Sequence, residues 1–188
     1  IELVLPNNIN FKKNQRCIHP ASQGSMGFAL PGIIGAFFAS KKLPISVIGD
    51  GSVMMNLQEL ATIRYNNIPA KIFIVNNNSY AVIRKRMIEL FRRTIGTDNE
   101  NGVGCPEFRK VAEAFDIKFV KINSNKNLDE KIKSVIELDG PVICEVMGLE
   151  NQNYLSRGPA RNSDGAIVNR PRADQRPYLD RDLFLSEM

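Results

Sequence analysis

The chain of 188 residues has no tryptophan and a single histidine, His19. With one histidine, neither a multi-histidine metal site nor a Ser-His-Asp triad is easily built. The three cysteines, Cys17, Cys105 and Cys144, are odd in number and lack C-x-x-C spacing, which argues against a disulfide framework or a zinc site. Cys144 lies in an apolar run and is expected in the core. This cysteine usage fits a reducing compartment, and we expect a cytoplasmic protein.

Long apolar segments are missing as well. No apolar run approaches the ~20 residues that a membrane span needs, and no charged-then-apolar signal segment opens the chain. The first residue is Ile1 and not Met, so we interpret the sequence as a piece of a longer chain. Hydrophobic residues make up 43% and charged residues 24%, which is ordinary for a globular protein with one α/β domain. We expect no membrane partner.

Basic residues exceed acidic ones, and the formal net charge is +5. The densest basic clusters are Arg84-Lys85-Arg86 and Arg92-Arg93, in a stretch with helical spacing of apolar residues. A nucleic-acid surface would need a concentrated basic face interleaved with stacking aromatics, so nucleic acid is the least favoured partner. Two interpretations stay open: a solvated helix face, or recognition of an anionic substrate or partner.

Two apolar runs end at polar residues, and the chain is organised around them. Residues 45–48 are followed by Gly49-Asp50-Gly51-Ser52, and residues 72–75 are followed by Asn76-Asn77-Asn78. Both runs read as buried strands of a parallel sheet, with a helix predicted between them. Open α/β sheets bind ligands at the carboxyl ends of their strands. The pattern therefore predicts a ligand site at this edge.

The residue types at this edge indicate the ligand. Gly49 and Gly51 allow close backbone approach and unusual dihedrals, and exposed N–H groups can cradle phosphate. Asp50 offers a carboxylate oxygen, and an asparagine at the neighbouring strand end offers a neutral oxygen. Mg²⁺ is typically held by one or two carboxylates together with substrate phosphates. The sequence therefore predicts a magnesium-diphosphate site, although Gly-Asp-Gly alone is more often a turn.

These residues resemble the cofactor fingerprint of thiamine diphosphate enzymes. Asp50 and Asn77 are 27 positions apart, as the family motif asks. The stretch Gly24-Ser25-Met26-Gly27-Phe28-Ala29-Leu30-Pro31 is similar to the Gly-x-Met-Gly-x-x-Leu-Pro segment of acetolactate synthase and its relatives, and residues 56–60 are similar to the helix start in that group. The resemblance covers residues 15–147. It implies an α/β three-layer sandwich with a mostly parallel sheet of about five to six strands.

The resemblance also implies roles for individual residues. Asp50, the Asn77 side chain and the Ser79 backbone oxygen would hold Mg²⁺, Met26 would bend the cofactor, and Ser52 would contact the diphosphate. For Met26 alone, packing in the core is the alternative. The full set of implied cofactor-binding residues is Gly24, Ser25, Met26, Gly49, Asp50, Gly51, Ser52, Asn77, Ser79, Tyr80, Ala81 and Val82.

The resemblance further implies that this chain is incomplete as an enzyme. In the family, a glutamate on a pyrimidine-binding domain of the same or another chain activates the cofactor, and no such motif occurs here. We therefore expect no catalytic residue in this chain. The resemblance also implies a homo-oligomer that is at least a dimer, a 2-keto acid substrate, and FAD as a possible further cofactor of the full-length protein.

One difference from the acetolactate synthases leaves the reaction type undecided. Acetolactate synthases usually carry Gly-Met-Val and then Gln-Trp after the asparagines, whereas this chain has Ala81-Val82-Ile83-Arg84 and no tryptophan. The alternatives are another thiamine-dependent decarboxylase, lyase or C–C hydrolase, or a subunit without activity.

The remaining expectations concern organisation. Residues 1–14 are expected as a lead-in, 15–149 as the diphosphate- and magnesium-binding domain, and 150–188 as an Arg/Pro-rich tail that is either disordered or docked. Helices are predicted over 24–40 and 56–67, the second with a capping box of Asn56 and Glu59. Further predicted elements are a lid at 96–106, helices at 80–93, 107–115 and 128–138, and strands at 117–122 and 141–147.

Overall fold

In the computed structural model of the chain, a four-stranded parallel sheet forms the centre of the molecule. The structure describes residues 5–20, 22–152, 156–157, 159–161, 163–171, 173–176 and 178–188. Strands β1 (Ile45–Gly49), β2 (Lys71–Asn76), β3 (Lys118–Ile122) and β4 (Val142–Met147) lie in the order β1-β2-β4-β3. Every neighbouring pair is parallel, so the four carboxyl ends meet at one edge.

Between residues 22 and 152, which the structure describes without a gap, the chain forms six helices. They are α1 (Ala29–Ser40), α2 (Asp50–Val53), α3 (Glu59–Tyr65), α4 (Ala81–Phe91), α5 (Phe108–Ala114) and α6 (Leu128–Glu137), with 3₁₀ turns at Pro6–Asn8, Met54–Asn56 and Asn99–Asn101. Among the residues the structure describes, no helix is both long and apolar enough to cross a bilayer.

The two faces of the sheet carry separate apolar cores. Ile72 and Ile74 of β2 pack into one core with residues of α1, α3 and α5. Phe73, which points the opposite way because strand side chains alternate, packs with Val135 of α6. Helices therefore cover both faces, and the predicted three-layer α/β class is confirmed.

The predicted count of five to six strands is too high. The main sheet has four strands, and within residues 5–20 and 22–28 the structure has a single 3₁₀ turn and no strand. These residues contain no apolar run that could supply a buried central strand. The short strands of the tail pair only with one another.

Two predicted helices begin later than expected. The helix over 24–40 begins at Ala29, because Gly24 and Gly27 adopt left-handed φ values of +58° and +82°. The helix over 56–67 is shorter: a 3₁₀ turn ends at Asn56, and α3 spans only Glu59–Tyr65. The predicted capping box is wrong: the N-cap of α3 is Gln58, which makes no side-chain cap hydrogen bond.

The other predicted elements agree with the structure to within about two residues at each end. They are α4, α5, α6, β3 and β4. Their apolar positions recur with the spacing of one helical face or of a buried strand, which is the most reliable pattern in a sequence.

The described part of the tail has secondary structure of its own. Strand β5 (Ser156–Arg157) pairs with β8 (Gln175–Arg176), β6 (Pro159–Arg161) pairs with β7 (Ile167–Asn169), both antiparallel, and α7 spans Arg181–Ser186. Asp174 is buried and accepts hydrogen bonds from Arg170 and Arg181 at 2.7 and 2.8 Å.

Parts of two predicted segments are not covered. Residues 1–4 of the lead-in, and Gly158, Arg172 and Pro177 of the Arg/Pro-rich tail, lie outside the described residues.

Candidate metal and diphosphate site

Two segments that are distant in sequence meet beside the carboxyl end of β1. The N–H of Gly27 donates to Ser52 Oγ at 2.9 Å, and Asn56 Nδ2 donates to the carbonyl of Gly27 at 3.2 Å. The segment before α1 is therefore held against α2 and the turn that follows it. Asn56, predicted as a helix cap, instead makes this long-range contact.

Asp50 lies at the centre of the site and is 3% exposed. Its Oδ1 accepts from the N–H of Gly51 at 2.8 Å, and its Oδ2 accepts from the N–H of Asn77 at 3.1 Å. Burial raises the pKa of Asp50 above its ordinary value, and the surrounding backbone N–H groups offset this only in part. No lysine or arginine in the described ranges forms an ion pair with Asp50, so a bound cation would supply the missing positive charge.

The segment after β2 brings the other predicted metal ligands to Asp50. Asn77 is joined to Asp50 by the backbone hydrogen bond, and Asn78 adopts a left-handed φ of +54° that turns the chain. Ser79 is 7% exposed, and its Oγ has no hydrogen-bond partner among the residues that the structure describes. Buried hydroxyls usually have a hydrogen-bond partner, so the Ser79 hydroxyl is free to contact a group bound beside Asp50.

The donor set fits a hard cation such as Mg²⁺. Within the described residues, no group of three or more His, Cys, Asp and Glu side chains is placed to hold a metal. A metal at Asp50 would therefore take amide and backbone oxygens and, with few protein ligands, complete its shell with phosphate oxygens or water. The Asp50 carboxylate has no Lys or Arg partner in the described ranges, and the Ser79 hydroxyl is buried without a partner there. Both observations fit a magnesium-diphosphate group.

The two glycines of the strand-end motif, Gly49 and Gly51, differ in whether a side chain would fit. Neither Gly49 nor Gly51 has a positive φ, so the predicted unusual dihedrals are wrong. A Cβ on Gly51 would overlap the ring of Tyr80, whereas one on Gly49 would lie 4.0 Å from Ser52 Cβ. Close approach is therefore needed at Gly51, where the ring of Tyr80 covers the backbone.

The upstream segment is exposed at this site. Gly24 and Ser25 are exposed, and Met26 is 45% exposed. Core packing, the alternative interpretation of Met26, is therefore excluded, and its side chain is available to a ligand or a partner.

Ala81 and Val82 begin α4, directly after Tyr80. Ala81 is partly buried and Val82 is exposed. They lie at the start of the helix and outside the hydrogen-bonded group around Asp50.

Glu145 is a buried acidic residue near this site that sequence reasoning missed. It lies in the otherwise apolar strand β4, is 5% exposed, accepts from Asn76 Nδ2 at 2.7 Å and pairs with Lys121 at 3.0 Å. A charged residue inside an apolar strand was the signal that could have found it, because buried carboxylates need partners.

Cys105 is a second missed neighbour of Asp50. Burial raises the pKa of the Cys105 thiol to about 11, and the charge of Asp50 and a hydrogen bond with it add to the shift. The thiol is therefore protonated at neutral pH and is no nucleophile. Its isolated position in the sequence gave no signal.

The loop predicted as a lid is anchored beside the site. Thr97 and Asp98 are buried, the carbonyl of Thr97 accepts from the N–H of Tyr80 at 2.8 Å, and Asp98 forms a backbone bridge with Ser79. These contacts favour a fixed support for Ser79 and Tyr80 over a lid.

Arg84 joins this loop to the segment after β4. Its guanidinium lies 3.2 Å from the carboxylate of Asp98 and 2.6 Å from that of Glu150. Because two carboxylates already neutralise its guanidinium, Arg84 is a poor candidate for binding an anionic substrate.

The fold and the site together define a parallel α/β domain whose polar residues gather at the carboxyl edge of its sheet. Residues 2–146 match the model of the family described as thiamine pyrophosphate enzyme, C-terminal TPP binding domain. The chain belongs to this family.

Relatives of this chain include acetolactate synthases. It is 37% identical over 153 residues to an acetolactate synthase large subunit of Porphyra purpurea, which covers 80% of this chain and 26% of the relative. It is 33% identical over 142 residues to that of Cyanidium caldarium, covering 74% and 24%. It is 28% identical over 156 residues to acetolactate synthase 2, chloroplastic, of Zea mays, covering 80% and 24%. The chain thus spans about a quarter of the length of these relatives.

Proposed function

We propose that residues 15–149 bind thiamine diphosphate through Mg²⁺ held by Asp50, the side chain of Asn77 and the backbone oxygen of Ser79. The observation that carries this proposal is the buried Asp50 carboxylate, which accepts the N–H of Asn77 and has no cationic partner among the described residues. Burying an unpaired carboxylate is costly, and a divalent cation would offset that cost. The orphaned Ser79 hydroxyl supports the same assignment.

The other predicted residues would hold the organic part of the cofactor. The hydroxyl of Ser52 accepts from Gly27 but keeps its own hydrogen for a diphosphate oxygen. The backbone of Gly51 and the residues around Tyr80 would lie beside the same group. Exposed Met26 would support the bent cofactor, with Gly24 and Ser25 beside it. Residues 1–14 and 150–188 are proposed as a lead-in and a tail to this domain.

At the level of the whole protein, we propose an acetolactate-synthase-like enzyme that decarboxylates a 2-keto acid and joins the remaining fragment to an acceptor. Thiamine diphosphate would supply the carbon nucleophile. The residues of this chain would anchor and orient the cofactor, while a glutamate on a pyrimidine-binding domain of the same or another chain would activate it. If that glutamate comes from a second copy of the protein, the active site needs at least a dimer. FAD in the full-length protein would favour the acetolactate group.

A second candidate is another reaction of the same cofactor: simple decarboxylation, or a lyase or hydrolase reaction at a C–C bond. The observation that favours it is the segment Ala81-Val82-Ile83-Arg84, which differs from the Gly-Met-Val and Gln-Trp of acetolactate synthases. A subunit without activity is the third candidate, and the intact Asp50 and Asn77 pair argues against it. A cytoplasmic location stays a prediction that cell fractionation would test, since the Zea mays relative is named chloroplastic.

The test uses the full-length protein with thiamine diphosphate, Mg²⁺ and pyruvate. CO₂ release and acetolactate are followed by mass spectrometry, with Asp50→Ala as the control variant. Acetolactate that disappears in the variant supports the first candidate. Cofactor binding without acetolactate moves the function to other keto acids or to the second candidate, and absence of cofactor binding contradicts the proposal.

A further inference from the structure

Asn76 is the last residue of β2 and is almost fully buried, at 4% exposure. Its side-chain amide is engaged at both ends: Nδ2 donates to Glu145 Oε1 at 2.7 Å, and Oδ1 accepts from the N–H of Asn78 at 2.9 Å. The carbonyl of Asn76 also accepts from the N–H of Gly148 at 2.8 Å. The residue that precedes the proposed metal ligands is therefore fixed by its side chain and its backbone.

Glu145 holds the other end of this connection. It lies on the central strand β4, beside Ile74 of β2 on one side and Lys121 of β3 on the other. Its Oε2 lies 3.0 Å from Lys121 Nζ, so one oxygen binds the amide and the other binds the ammonium. The side chain cannot rotate without giving up one of two partners, both of which are on neighbouring strands.

The connection ends at the proposed metal ligands. The hydrogen bond from Asn78 to the Asn76 side chain closes a turn in which Asn78 takes φ +54°, a conformation that is unfavourable for most residues. This turn directs the N–H of Asn77 at Asp50 Oδ2 and places Ser79 in its buried position. Loss of the Asn76 contact would free the turn while leaving Asp50 and Asn77 chemically intact.

We propose that Glu145 is a positioning residue of the metal site: by holding the amide of Asn76, it fixes the conformation of Asn77, Asn78 and Ser79. The inference rests on the proposed function, because it needs a metal at Asp50. Groups that orient metal ligands in this way typically change metal affinity by about 10–100-fold when they are removed. The carboxylate acts here as a hydrogen-bond acceptor, so an amide in its place should keep most of the effect.

The experiment measures Mg²⁺-dependent binding of thiamine diphosphate to the full-length protein by isothermal titration calorimetry over a series of Mg²⁺ concentrations. Glu145→Leu removes the acceptor, Glu145→Gln keeps an acceptor without charge, and Lys121→Met removes the ion pair but leaves the Asn76 contact. We expect the half-saturating Mg²⁺ concentration to rise about 10–100-fold in Glu145→Leu. It should stay within about threefold of wild type in Glu145→Gln and Lys121→Met.

Asn76→Ala tests the same connection from its other end, which keeps the test decisive if Glu145→Leu does not fold. A purely structural role would lower the thermal midpoint of the variants and leave the Mg²⁺ dependence unchanged, and that result would overturn the inference. The inference would also be overturned if Glu145→Gln and Lys121→Met raised the half-saturating Mg²⁺ concentration as much as Glu145→Leu does. The charge of Glu145, and not its contact with Asn76, would then be responsible. Asp50→Asn is measured alongside. If thiamine diphosphate binding depends on Mg²⁺ equally in wild type and Asp50→Asn, the proposed function fails, whatever the result for Glu145.

Discussion

Asp50 Oδ2 accepts a hydrogen bond from the backbone N–H of Asn77 at 3.1 Å, across 27 residues of sequence. The contact joins the ends of β1 and β2, which are adjacent and parallel. It holds the backbone of Asn77 beside the carboxylate of Asp50, so the two residues that the motif places 27 positions apart lie together at one sheet edge.

Asp50 should lower the stability of the protein when no metal is bound. Its pKa is raised in the folded state, mainly by burial, so the folded state binds a proton more tightly than the unfolded state. The free energy of unfolding therefore falls as pH rises from the unfolded value through the raised folded pKa, and stays reduced at neutral pH. We expect Asp50→Asn to be more stable than wild type at pH 7 in urea unfolding without Mg²⁺ and cofactor.

The same comparison at pH 3, where Asp50 is protonated in both states, should show a smaller difference between the two proteins. Addition of saturating Mg²⁺ and thiamine diphosphate should reverse the order at pH 7, because ligands at about 100 times their Kd add about 2.7 kcal/mol to the protein that binds them. Equal stability of the two apo proteins at pH 7 would contradict the account of Asp50.

Gly51→Ala should destabilise the protein by about 1–3 kcal/mol, because its Cβ would overlap the ring of Tyr80 and the ring would have to move. Gly35→Ala is the matched control, since Gly35 lies inside α1 and a Cβ added there would meet nothing within 4 Å. We expect Gly35→Ala to be neutral or stabilising by up to about 1 kcal/mol. Chemical denaturation measures both, and a neutral Gly51→Ala would show that the ring is not fixed there.

Arg84→Met should lower the thermal midpoint and loosen the loop around Asp98. The substitution removes the cation from a buried carboxylate and breaks the link to Glu150. Lys110→Met, which breaks the exposed pair with Glu107, is the control and should change the midpoint very little. Hydrogen exchange of residues 95–103 reports on the loop, and equal exchange in both variants would mean that Arg84 does not hold it.

The fold could be predicted from sequence wherever apolar spacing was strong. The runs at 45–48 and 72–75 gave β1 and β2, and the spacing of Val82, Met87 and Phe91 gave α4. The start of α1 could not be predicted, because composition does not reveal that Gly24 and Gly27 take left-handed conformations.

The site was predicted as far as its motif extends. The structure brings Asp50 and Asn77 together as the spacing indicated. It also adds Glu145, which pairs with Asn76 over 69 positions of sequence, and no local pattern encodes a contact between side chains on two strands. The capping prediction for Asn56 failed for the same reason, since a tertiary contact with Gly27 competes with the helix end.

Asp174→Asn should loosen the tail. The guanidinium of Arg181 and then that of Arg170 lower the pKa of Asp174, so its contribution to stability is present above its ordinary pKa and is lost as pH falls through the lowered one. We expect faster hydrogen exchange over 178–188 in this variant at pH 7. Asp182→Asn, at an exposed position in the first turn of α7, is the control. Unchanged exchange in Asp174→Asn would show that other contacts hold the tail.

The claim that Asp50 holds the Mg²⁺ through which thiamine diphosphate binds can be tested directly by calorimetry. The affinity of the full-length protein for thiamine diphosphate is measured in wild type and in Asp50→Asn, each with Mg²⁺ and with excess EDTA. We predict that wild type binds thiamine diphosphate only when Mg²⁺ is present. The affinity should fall more than about 100-fold in Asp50→Asn, because removing a direct metal ligand should cost more than removing a residue that only orients one. Binding that is indifferent to Mg²⁺, or equal in the two proteins, would contradict the claim.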